Sequence, residues 1–234
     1  MDDGQRYDPV FSKFLAKAAL GVNDHEGDHE SADLECVVTC EEVIHKQGWL
    51  LHGCMSKEEC QRLIAVCEEV GFQQAKDYCF QYRDRFNDRM MSDDEQLADF
   101  LWRRVQAYVP QYETDSNGHQ WRVKGLNRRF RICRYFSGHY FGAHIDGEFY
   151  ASDREKSFYT CMLYLNDKGH DFQGGATRFL DINARKKAKF DVEPKAGLCI
   201  VFYQKSRDTY HEGLQLTEGT KYILRTDVMY TMEL

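Results

Sequence analysis

The chain is 234 residues long, with a net charge of −7 and 42% hydrophobic residues, so it can bury the core of one domain. It has no Lys/Arg-rich block and no run of about 18 apolar residues, so neither nucleic acid nor a membrane is expected as a partner. The N-terminus is acidic and has no apolar segment, which argues against a signal peptide. Nine scattered cysteines without paired zinc spacing predict reduced thiols and a cytoplasmic or nuclear protein.

The first 120 residues divide into two predicted regions. Residues 1–35 are predicted to form a flexible N-terminal extension with room for a short helix. Residues 36–120 are predicted to be a helical support region, because Ser-x-x-Glu capping boxes at Ser56 and Ser92 each precede a helical apolar stripe. The polar residues 76–91 between these two helices are predicted to be a loop.

Residues 121–234 show a different pattern and are predicted to form the core domain. Short β-rich runs, separated by glycine and polar turns, recur at 129–135, 158–165, 176–180, 198–203 and 221–230. No long helical period interrupts them. We therefore predict an α+β, mainly β fold: a double-stranded β-helix (jelly roll) with N-terminal supporting helices.

Three residues in this region have the identity and spacing of metal ligands. His144 and Asp146 form a His-x-Asp pair, and His211 lies further along the chain, just after a predicted strand. Two imidazoles and one carboxylate suit Fe²⁺, because they leave coordination positions open, whereas a structural zinc site closes its shell. A His-x-Asp pair alone can also be two ordinary polar residues at a strand end. The surrounding motifs are therefore needed to distinguish a metal site from that alternative.

Further motifs accompany these three residues in a fixed order along the chain. They are Tyr135-x-x-Gly138, the strand 161–166, Gly174-Gly175-Ala176-Thr177, the segment 193–197, His211-Glu212-Gly213 and Gly219-Thr220-Lys221. Over about residues 125–230 the series resembles the prolyl 4-hydroxylase-like Fe(II)/2-oxoglutarate-dependent dioxygenase family. The resemblance implies that His144, Asp146 and His211 are the catalytic iron ligands. The presence of Asp146 favours hydroxylation over the halogenation that related enzymes perform without this carboxylate.

The resemblance also implies the cofactors and the residues that bind them. The cofactors are Fe²⁺, 2-oxoglutarate as the co-substrate of molecular oxygen, and L-ascorbate as the reductant of oxidised iron. Lys221 is expected to bind the distal carboxylate of 2-oxoglutarate through a charge-assisted hydrogen bond. Arg225, on the same strand face, is the alternative, unless it forms a structural ion pair. The matching hydroxyl donors are Tyr135, Tyr164 and Thr177, which could equally be ordinary core or turn residues.

Two segments are candidates for contact with a substrate. Asn87 and Arg89 lie in a polar run before the second predicted helix, where they could contact a peptide backbone or belong to a solvated loop. Tyr150 and Arg154 lie in residues 147–157, directly after the iron-binding pair, and this segment could act as a lid.

The resemblance implies a protein or peptide substrate, with hydroxylation of a prolyl residue favoured and succinate and CO2 released. Two departures from the family leave the target residue open. Phe141 stands where a Tyr is common, and Ser157 stands where several peptidyl-proline hydroxylases have an Arg. The alternatives are a nucleic-acid or small-molecule oxidative hydroxylase or demethylase, a jelly-roll binding module without catalysis, and a zinc hydrolase that uses the same ligands.

Overall fold

The computed structural model describes residues 7–10, 13–14, 37–74 and 85–233, and most of the predicted N-terminal extension lies outside them. The described residues form two sheets and two α-helices, α1 (Lys57–Val70) and α2 (Glu95–Val105). The larger sheet consists of β1 (Thr39–Ile44), β2 (Gly48–His52), β3 (Gln73–Gln74), β5 (Asp88–Asp93), β6 (Tyr112–Thr114), β7 (Gln120–Leu126), β8 (Arg129–Phe136), β10 (Tyr150–Ser152), β11 (Glu155–Tyr164), β12 (Phe172–Gly174), β15 (Cys199–Tyr203) and β17 (Leu216–Met232). The smaller sheet consists of β4 (Arg85–Phe86), β9 (Tyr140–His144), β13 (Thr177–Asp181), β14 (Lys187–Val192) and β16 (His211–Gly213).

The two sheets are antiparallel and face each other. In the described part of the chain, the main path of the larger sheet runs β1-β2-β15-β11-β17-β8-β5-β3, and the smaller sheet runs β14-β13-β16-β9-β4. An apolar cluster with members from both sheets fills the space between them. Within it, the rings of Phe179 and Phe202 meet edge to face with centroids 5.7 Å apart. This arrangement confirms the predicted mainly β jelly roll.

The strand runs predicted for the C-terminal half are confirmed by β8, β11, β13, β15 and β17. β17 is the longest, with 17 residues, and it pairs with β11, β8, β7 and β12. Because it lies between β11 and β8 in the larger sheet, β17 holds that sheet together and carries its side chains into the centre of the molecule.

Side chains of β8 alternate between the two faces of the larger sheet. Phe130 and Ile132 belong to the core cluster that also contains Leu63 of α1 and Leu101 of α2. Tyr135 belongs instead to the cluster between the two sheets. Because successive residues of a strand point to opposite faces, the odd-numbered residues of β8 face the interior of the jelly roll. The helices therefore cover the outer face and leave the inner face for the site.

Helix α1 begins at the predicted capping box. The Ser56 hydroxyl accepts a hydrogen bond from the Glu59 N–H at 3.1 Å, and the Glu59 carboxylate accepts one from the Ser56 N–H at 2.7 Å. These bonds satisfy donors that the first turn of a helix would otherwise leave unpaired. The helix ends at Gly71, where the backbone takes a φ of 95° that favours glycine.

Helix α2 begins two residues later than the second capping-box pattern predicts. Its N-cap is Asp94, whose carboxylate accepts a hydrogen bond from the Leu97 N–H at 2.9 Å. Ser92 lies in β5 and pairs with Phe130 of β8, so strand pairing prevails over the local capping pattern.

No helix in the described part of the chain has the length and apolar character needed to cross a membrane.

The predicted loop over 76–91 is wrong for its described part. Residues 85–86 form β4, which pairs with β9, and residues from 88 onward form β5, which pairs with β8. β5 is polar because inward-facing Arg89 lines a charged groove instead of an apolar core, so the period-two apolar signal is missing. The predicted helical support region of 36–120 therefore also supplies strands to both sheets.

Candidate metal centre

The three predicted metal ligands come together in the smaller sheet. His144 is the last residue of β9, Asp146 follows two residues later, and His211 begins β16. β9 and β16 are antiparallel neighbours, and His211 lies directly opposite His144. One ligand atom from each of the three residues lies within 4.8 Å of the others.

Both histidines present the same ring nitrogen to this cluster. His144 Nδ1 donates a hydrogen bond to the Gly142 carbonyl at 2.9 Å, and His211 Nδ1 donates one to the Thr209 carbonyl at 2.8 Å. A nitrogen that donates to a carbonyl carries the proton, so the lone pair of Nε2 is free on each ring. Backbone carbonyls commonly fix metal-binding histidines in this way.

Asp146 is held by side chains on its far side. Its Oδ2 accepts hydrogen bonds from Thr160 Oγ1 at 2.7 Å and lies 3.1 Å from Arg225 Nη2, while its Oδ1 lies 3.3 Å from His144 Nε2. Burial opposes ionisation, but the Arg225 guanidinium outweighs it, and the pKa of the Asp146 carboxyl lies well below its usual range. The carboxylate is therefore ionised, with Oδ1 turned toward the histidines.

This donor set fits Fe²⁺. Two imidazole nitrogens and one carboxylate oxygen converge, and within the described residues no fourth histidine, cysteine or carboxylate joins the group. Three protein ligands leave positions for a co-substrate and oxygen, which is the arrangement of non-haem Fe(II) oxygenases. A structural zinc site would need a fourth ligand from the protein.

A pocket between the two sheets extends from these ligands to Lys221. Its lining includes Tyr135, Met162, Thr177, Leu216, Lys221 and Ile223. Lys221 is buried, and its Nζ donates a hydrogen bond to the Gly175 carbonyl. Burial lowers the pKa of Lys221 from 10.5 to about 7. Among the described residues, no carboxylate lies within ion-pair distance of its Nζ, so the ammonium lacks an anionic partner.

The three predicted hydroxyl donors lie around this ammonium at different depths. Tyr135 and Thr177 line the pocket, and the Lys221 Nζ lies 5.6 Å from the centre of the Tyr135 ring. Tyr164 is fully buried and donates a hydrogen bond to Thr177 Oγ1 at 2.7 Å. Burial raises the pKa of both tyrosines, so each keeps its proton and can donate it in a hydrogen bond.

Arg225 lies at the other end of the same strand face. It also lines the pocket, but its guanidinium pairs with Asp146 and lies 3.9 Å from an oxygen of Asp227. Lys221 and Arg225 are four residues apart on β17, so both side chains face the interior. Of these two cations, Lys221 has no carboxylate within ion-pair distance among the described residues, whereas Arg225 is paired with Asp146, the candidate metal-binding carboxylate.

Residues 130–226, which contain all of these side chains, match the model of the 2OG-Fe(II) oxygenase superfamily. Over these residues the chain is similar to that superfamily. The resemblance predicted from the sequence is thereby confirmed.

Two curated relatives of this chain are named for the hydroxylation of procollagen lysine. The chain is 36% identical over 70 residues to rat multifunctional procollagen lysine hydroxylase and glycosyltransferase LH3, and 36% identical over 69 residues to mouse procollagen-lysine,2-oxoglutarate 5-dioxygenase 1. Each match covers 30% of this chain and 9% of the relative. The chain thus spans about a tenth of the length of these curated relatives.

Solved structures share the fold of this chain at low sequence identity. A viral collagen prolyl hydroxylase from Paramecium bursaria Chlorella virus-1 gives a TM-score of 0.55 at 19% identity, covering 79% of this chain and 96% of that one. A Pseudomonas putida prolyl-4-hydroxylase gives 0.53 at 17% identity, with 78% and 91% covered. A Trichoplax adhaerens prolyl hydroxylase bound to a hypoxia inducible factor peptide fragment gives 0.54 at 15% identity, with 78% and 83% covered.

The four predicted substrate residues lie in different places around the candidate metal centre. Arg89 and Tyr150 line a groove that continues outward from the pocket. Asn87 is buried and accepts a hydrogen bond from Arg85 Nε at 2.9 Å, so it positions a pocket residue instead of facing solvent. Arg154 is exposed in the turn between β10 and β11 and lines neither the pocket nor the groove.

The two residues that depart from the family pattern have defined contacts. The Phe141 ring stacks on the His144 ring with centroids 3.8 Å apart. The Arg85 guanidinium lies 4.5 Å from the centroid of the Phe141 ring. Ser157 is buried, accepts a hydrogen bond from the Phe149 N–H at 2.7 Å and donates one to Gln204 at 2.6 Å. Phe141 therefore belongs to the pocket wall, whereas Ser157 anchors the segment that follows Asp146.

Several pocket residues were missed by the sequence analysis. Arg85 and Arg131 line the pocket, and Thr160 and Gln204 support Asp146 from behind. Arg131 could have been found, because it lies four residues before Tyr135 on a predicted strand and therefore on the same face. Arg85 lies in a segment that the sequence predicts as a loop, so no periodicity signals its direction.

Proposed function

We propose that this protein is an Fe(II)- and 2-oxoglutarate-dependent dioxygenase that hydroxylates a protein side chain, with a prolyl residue as the favoured target. The observation that carries the proposal is the combination of the three ligands with Lys221 in one pocket. A buried ammonium without a carboxylate partner is costly, and it indicates that an anionic ligand completes the site. A zinc hydrolase with the same three ligands would have no use for this ammonium.

Each part of the pocket has a distinct role in this proposal. His144, Asp146 and His211 hold Fe²⁺ through Nε2, Oδ1 and Nε2. Lys221 pairs with the distal carboxylate of 2-oxoglutarate, and the hydroxyl groups of Tyr135 and Thr177 donate further hydrogen bonds to it. When bound, iron and 2-oxoglutarate together supply the oxidising chemistry, with succinate and CO2 as co-products and ascorbate as the reductant that restores Fe²⁺.

The protein contributes orientation and a dry environment. Met162, Phe202, Leu216 and Ile223 are buried apolar members of the pocket wall. They exclude water around the ligands, which strengthens the interaction between Lys221 and a carboxylate. The hydrogen bonds to Asp146 Oδ2 keep Oδ1 directed at the metal, so the ligands are preorganised before a substrate arrives.

The proposed substrate class rests on the relatives. The curated relatives are lysine hydroxylases of procollagen, and three solved structures with this fold are prolyl hydroxylases, one of them bound to a peptide. A polypeptide substrate is consistent with the groove that continues from the pocket past Arg89 and Tyr150. We propose residues 121–234 as the catalytic core, 36–120 as its support region and 1–35 as a flexible extension.

Turnover of 2-oxoglutarate tests the proposal directly. Purified protein with Fe²⁺, ascorbate and 2-oxoglutarate should release succinate, and a peptide array should show products heavier by one oxygen atom. His211→Ala should abolish both signals and weaken Fe²⁺ binding, while circular dichroism still shows a folded domain. His45→Ala, which changes an exposed histidine of similar chemistry, is the matched control and should keep full activity.

Two outcomes would contradict the proposal. The first is the absence of both Fe²⁺ binding and succinate release in the folded wild-type protein. The second is full activity of His211→Ala, which would mean that the three clustered residues do not hold the catalytic metal.

A further inference from the structure

A groove rich in arginine adjoins the metal pocket. Five arginines line it: Arg85, Arg89, Arg129, Arg131 and Arg225. Arg85, Arg131 and Arg225 also line the metal pocket, so the groove opens onto the metal centre. Any molecule that reaches the iron from this side has to pass along these guanidinium groups.

Strand register brings these cations to one face. Arg131 of β8 lies opposite Met91 of β5 on one side and opposite Arg225 of β17 on the other. Directly opposite residues in antiparallel strands point to the same face, so these three side chains form a row across the sheet. Lys221 lies on that face as well, four residues along β17. On this inner face, Lys221 lies in the part of the pocket proposed for the co-substrate. The arginines lie where the pocket opens into the groove.

Among the described residues, few carboxylates are available to Arg131, Arg225 and Arg89 in this groove. Arg129 is neutralised by Asp93, with two hydrogen bonds of 2.8 and 3.0 Å. Arg131 and Arg225 share Asp227, at 3.2 and 3.9 Å. The other carboxylate beside Arg225 is Asp146, which the proposed iron also requires.

The remaining acidic residue of the groove already has cationic partners. Glu148 pairs with Lys156 at 3.3 Å and with Lys205. Its charge is therefore matched by two lysines and does not compensate the arginines. Burial lowers the pKa of Arg131 from its ordinary value, with Arg225 and Arg89 acting in the same direction against Asp227, which reflects the crowding of like charge.

Arg85 and Arg89 extend the positive row toward the exterior. Arg85 contacts the Asn87 amide, the Cys133 thiol and the Phe141 ring. Arg89 is half-buried, and within the described residues no carboxylate lies within ion-pair distance of it. The Nε atom of Arg225 is buried, and no described residue forms a hydrogen bond with it.

We propose that this groove binds an acidic segment of the substrate polypeptide, with Asp or Glu side chains close to the hydroxylated residue. The inference rests on the proposed function and names its substrate class. Guanidinium groups bind carboxylates in paired, directional hydrogen bonds, and partial burial strengthens them. Glu148 and the apolar side chains of Met91 and Phe149 in the same groove favour a mixed polypeptide over a uniformly charged polyanion. The net charge of −7 also disfavours nucleic acid.

Matched peptides test the inference. Three sets of proline-centred peptides differ only in the flanking residues, which are Glu, the isosteric neutral Gln, or Lys. Measured by succinate release and mass gain, the KM should be about tenfold lower for the Glu set than for the Gln set. The KM should be highest for the Lys set. Raising the salt concentration should shrink the difference between the Glu and Gln sets, because screening weakens pairs at the groove rim.

Variants of Arg89 show whether the groove is responsible. Arg89→Gln should reduce the preference for Glu over Gln peptides about threefold, while Arg89→Lys, which keeps the charge, should retain most of it. Arg103→Gln removes an exposed arginine on α2 and serves as the matched control, with an unchanged preference. Equal KM values for Glu and Gln peptides in the wild-type protein would overturn the inference, and so would an undiminished preference in Arg89→Gln.

Direct binding separates this inference from the proposed function. Fluorescence anisotropy with labelled peptides of the three sets reports on the groove even if no turnover occurs. Tighter binding of the Glu set that depends on Arg89, without any succinate release, would support the groove and reject the enzyme. Succinate release without a preference for the Glu peptides would support the enzyme and reject the binding of an acidic segment in the groove. Displacement of the Glu peptide by a single-stranded oligonucleotide of equal charge at lower concentration would overturn the choice of a polypeptide.

Discussion

The two oxygen atoms of Asp146 have different environments, and this difference sets the direction of the candidate iron ligand. Oδ1 faces His144, whereas Oδ2 is bonded to Thr160 and Arg225. Gln204 donates to Thr160 Oγ1 at 3.2 Å, so the hydroxyl is itself oriented. Partners of this kind fix a metal ligand in the geometry that the metal needs, and their removal costs about 10- to 100-fold in metal affinity.

Thr160→Val keeps the shape of the side chain and removes its hydroxyl. We expect it to lower Fe²⁺ affinity about tenfold, because Asp146 Oδ2 loses a buried hydrogen bond. Competition with a chelator under anaerobic conditions measures the change. Thr160→Ser should retain wild-type affinity, and equal Fe²⁺ affinities for Val and Thr at this position would show that the carboxylate needs no support from residue 160.

Lys221→Met keeps the length of the side chain and removes its charge. It should raise the 2-oxoglutarate concentration for half-maximal turnover about 100-fold, because a charge-assisted hydrogen bond is lost. The melting temperature should not fall, since an apolar side chain replaces a buried unpaired cation. Lys195→Met, at an exposed lysine, is the control. An unchanged 2-oxoglutarate requirement would assign the distal carboxylate to another residue.

The pH dependence of 2-oxoglutarate binding follows from the same residue. Burial lowers the pKa of Lys221 from 10.5 to about 7, while Cys133 and Glu193 oppose this shift and Lys168 adds to it. As pH rises through about 7, the free protein loses the ammonium form that a dicarboxylate requires. The Kd of 2-oxoglutarate should therefore increase by up to about tenfold per pH unit above that value.

Calorimetry with Mn²⁺ in place of Fe²⁺ measures this dependence without turnover. Titrations in buffers of different ionisation enthalpy should show proton uptake on 2-oxoglutarate binding above about pH 7. In Lys221→Met the proton uptake should disappear. A Kd that stays constant from neutral to alkaline pH would mean that Lys221 remains protonated in the free protein.

The sequence predicts the site residues that belong to a motif. It does not predict the residues that only support those site residues through hydrogen bonds. His144, Asp146, His211 and Lys221 keep their order and spacing along the chain, and the structure places them in one pocket. Thr160 lies on β11 of the larger sheet, whereas Asp146 follows β9 of the smaller sheet, and no local sequence pattern encodes that the two side chains meet. Arg225 was ambiguous for the same reason, because its strand face could be predicted but its partner could not.

At the scale of elements, helix starts depend on which hydrogen bonds the backbone makes nearby. The box at Ser56 was predicted correctly because the preceding residues are not paired in a sheet. At Ser92 the same pattern fails, since β5 continues to Asp93 and pairs with β8. The polar character of β5 likewise hid a strand, because its inner face borders the charged groove and not the core.

Asp94→Ala tests the cap of α2. Its carboxylate accepts the Leu97 N–H at 2.9 Å in a buried position, so removal should lower the free energy of unfolding by about 1 kcal/mol. Denaturant unfolding followed by circular dichroism measures the loss. Asp99→Ala, at an exposed position within α2, should have a smaller effect. Equal losses for the two variants would mean that the cap contributes nothing specific.

At the scale of the molecule, the division of faces explains why the site is compatible with a stable core. Apolar residues of β8 pack against the helices on the outer face, while its polar and aromatic residues serve the site on the inner face. The sequence predicted two helices over one sheet from periodicity. It could not predict that residues 48–52 pair with β15 and so extend the larger sheet, because this pairing joins distant parts of the chain.

Ligand binding should stabilise the whole domain. Mn²⁺ and 2-oxoglutarate, each at about 100 times its Kd, should together raise the free energy of unfolding by about 5 kcal/mol, about 2.7 kcal/mol from each ligand, or the melting temperature by about 10–20 °C. Differential scanning fluorimetry measures the shift. A chelator should reverse it, and His211→Ala should show little response. A wild-type protein that gains no stability from the pair of ligands would contradict the proposed binding site.

β17 is synthesised after every strand with which it pairs. On the ribosome, β8 and β11 emerge with the edges that will flank it still open, and open strand edges readily pair with other chains. Pairing between distant segments is also slow. Closure of the larger sheet therefore waits until residues 216–232 have been translated, and only then can Lys221 enter the pocket. Nascent chains of this protein are expected to depend on chaperones that shield exposed strands.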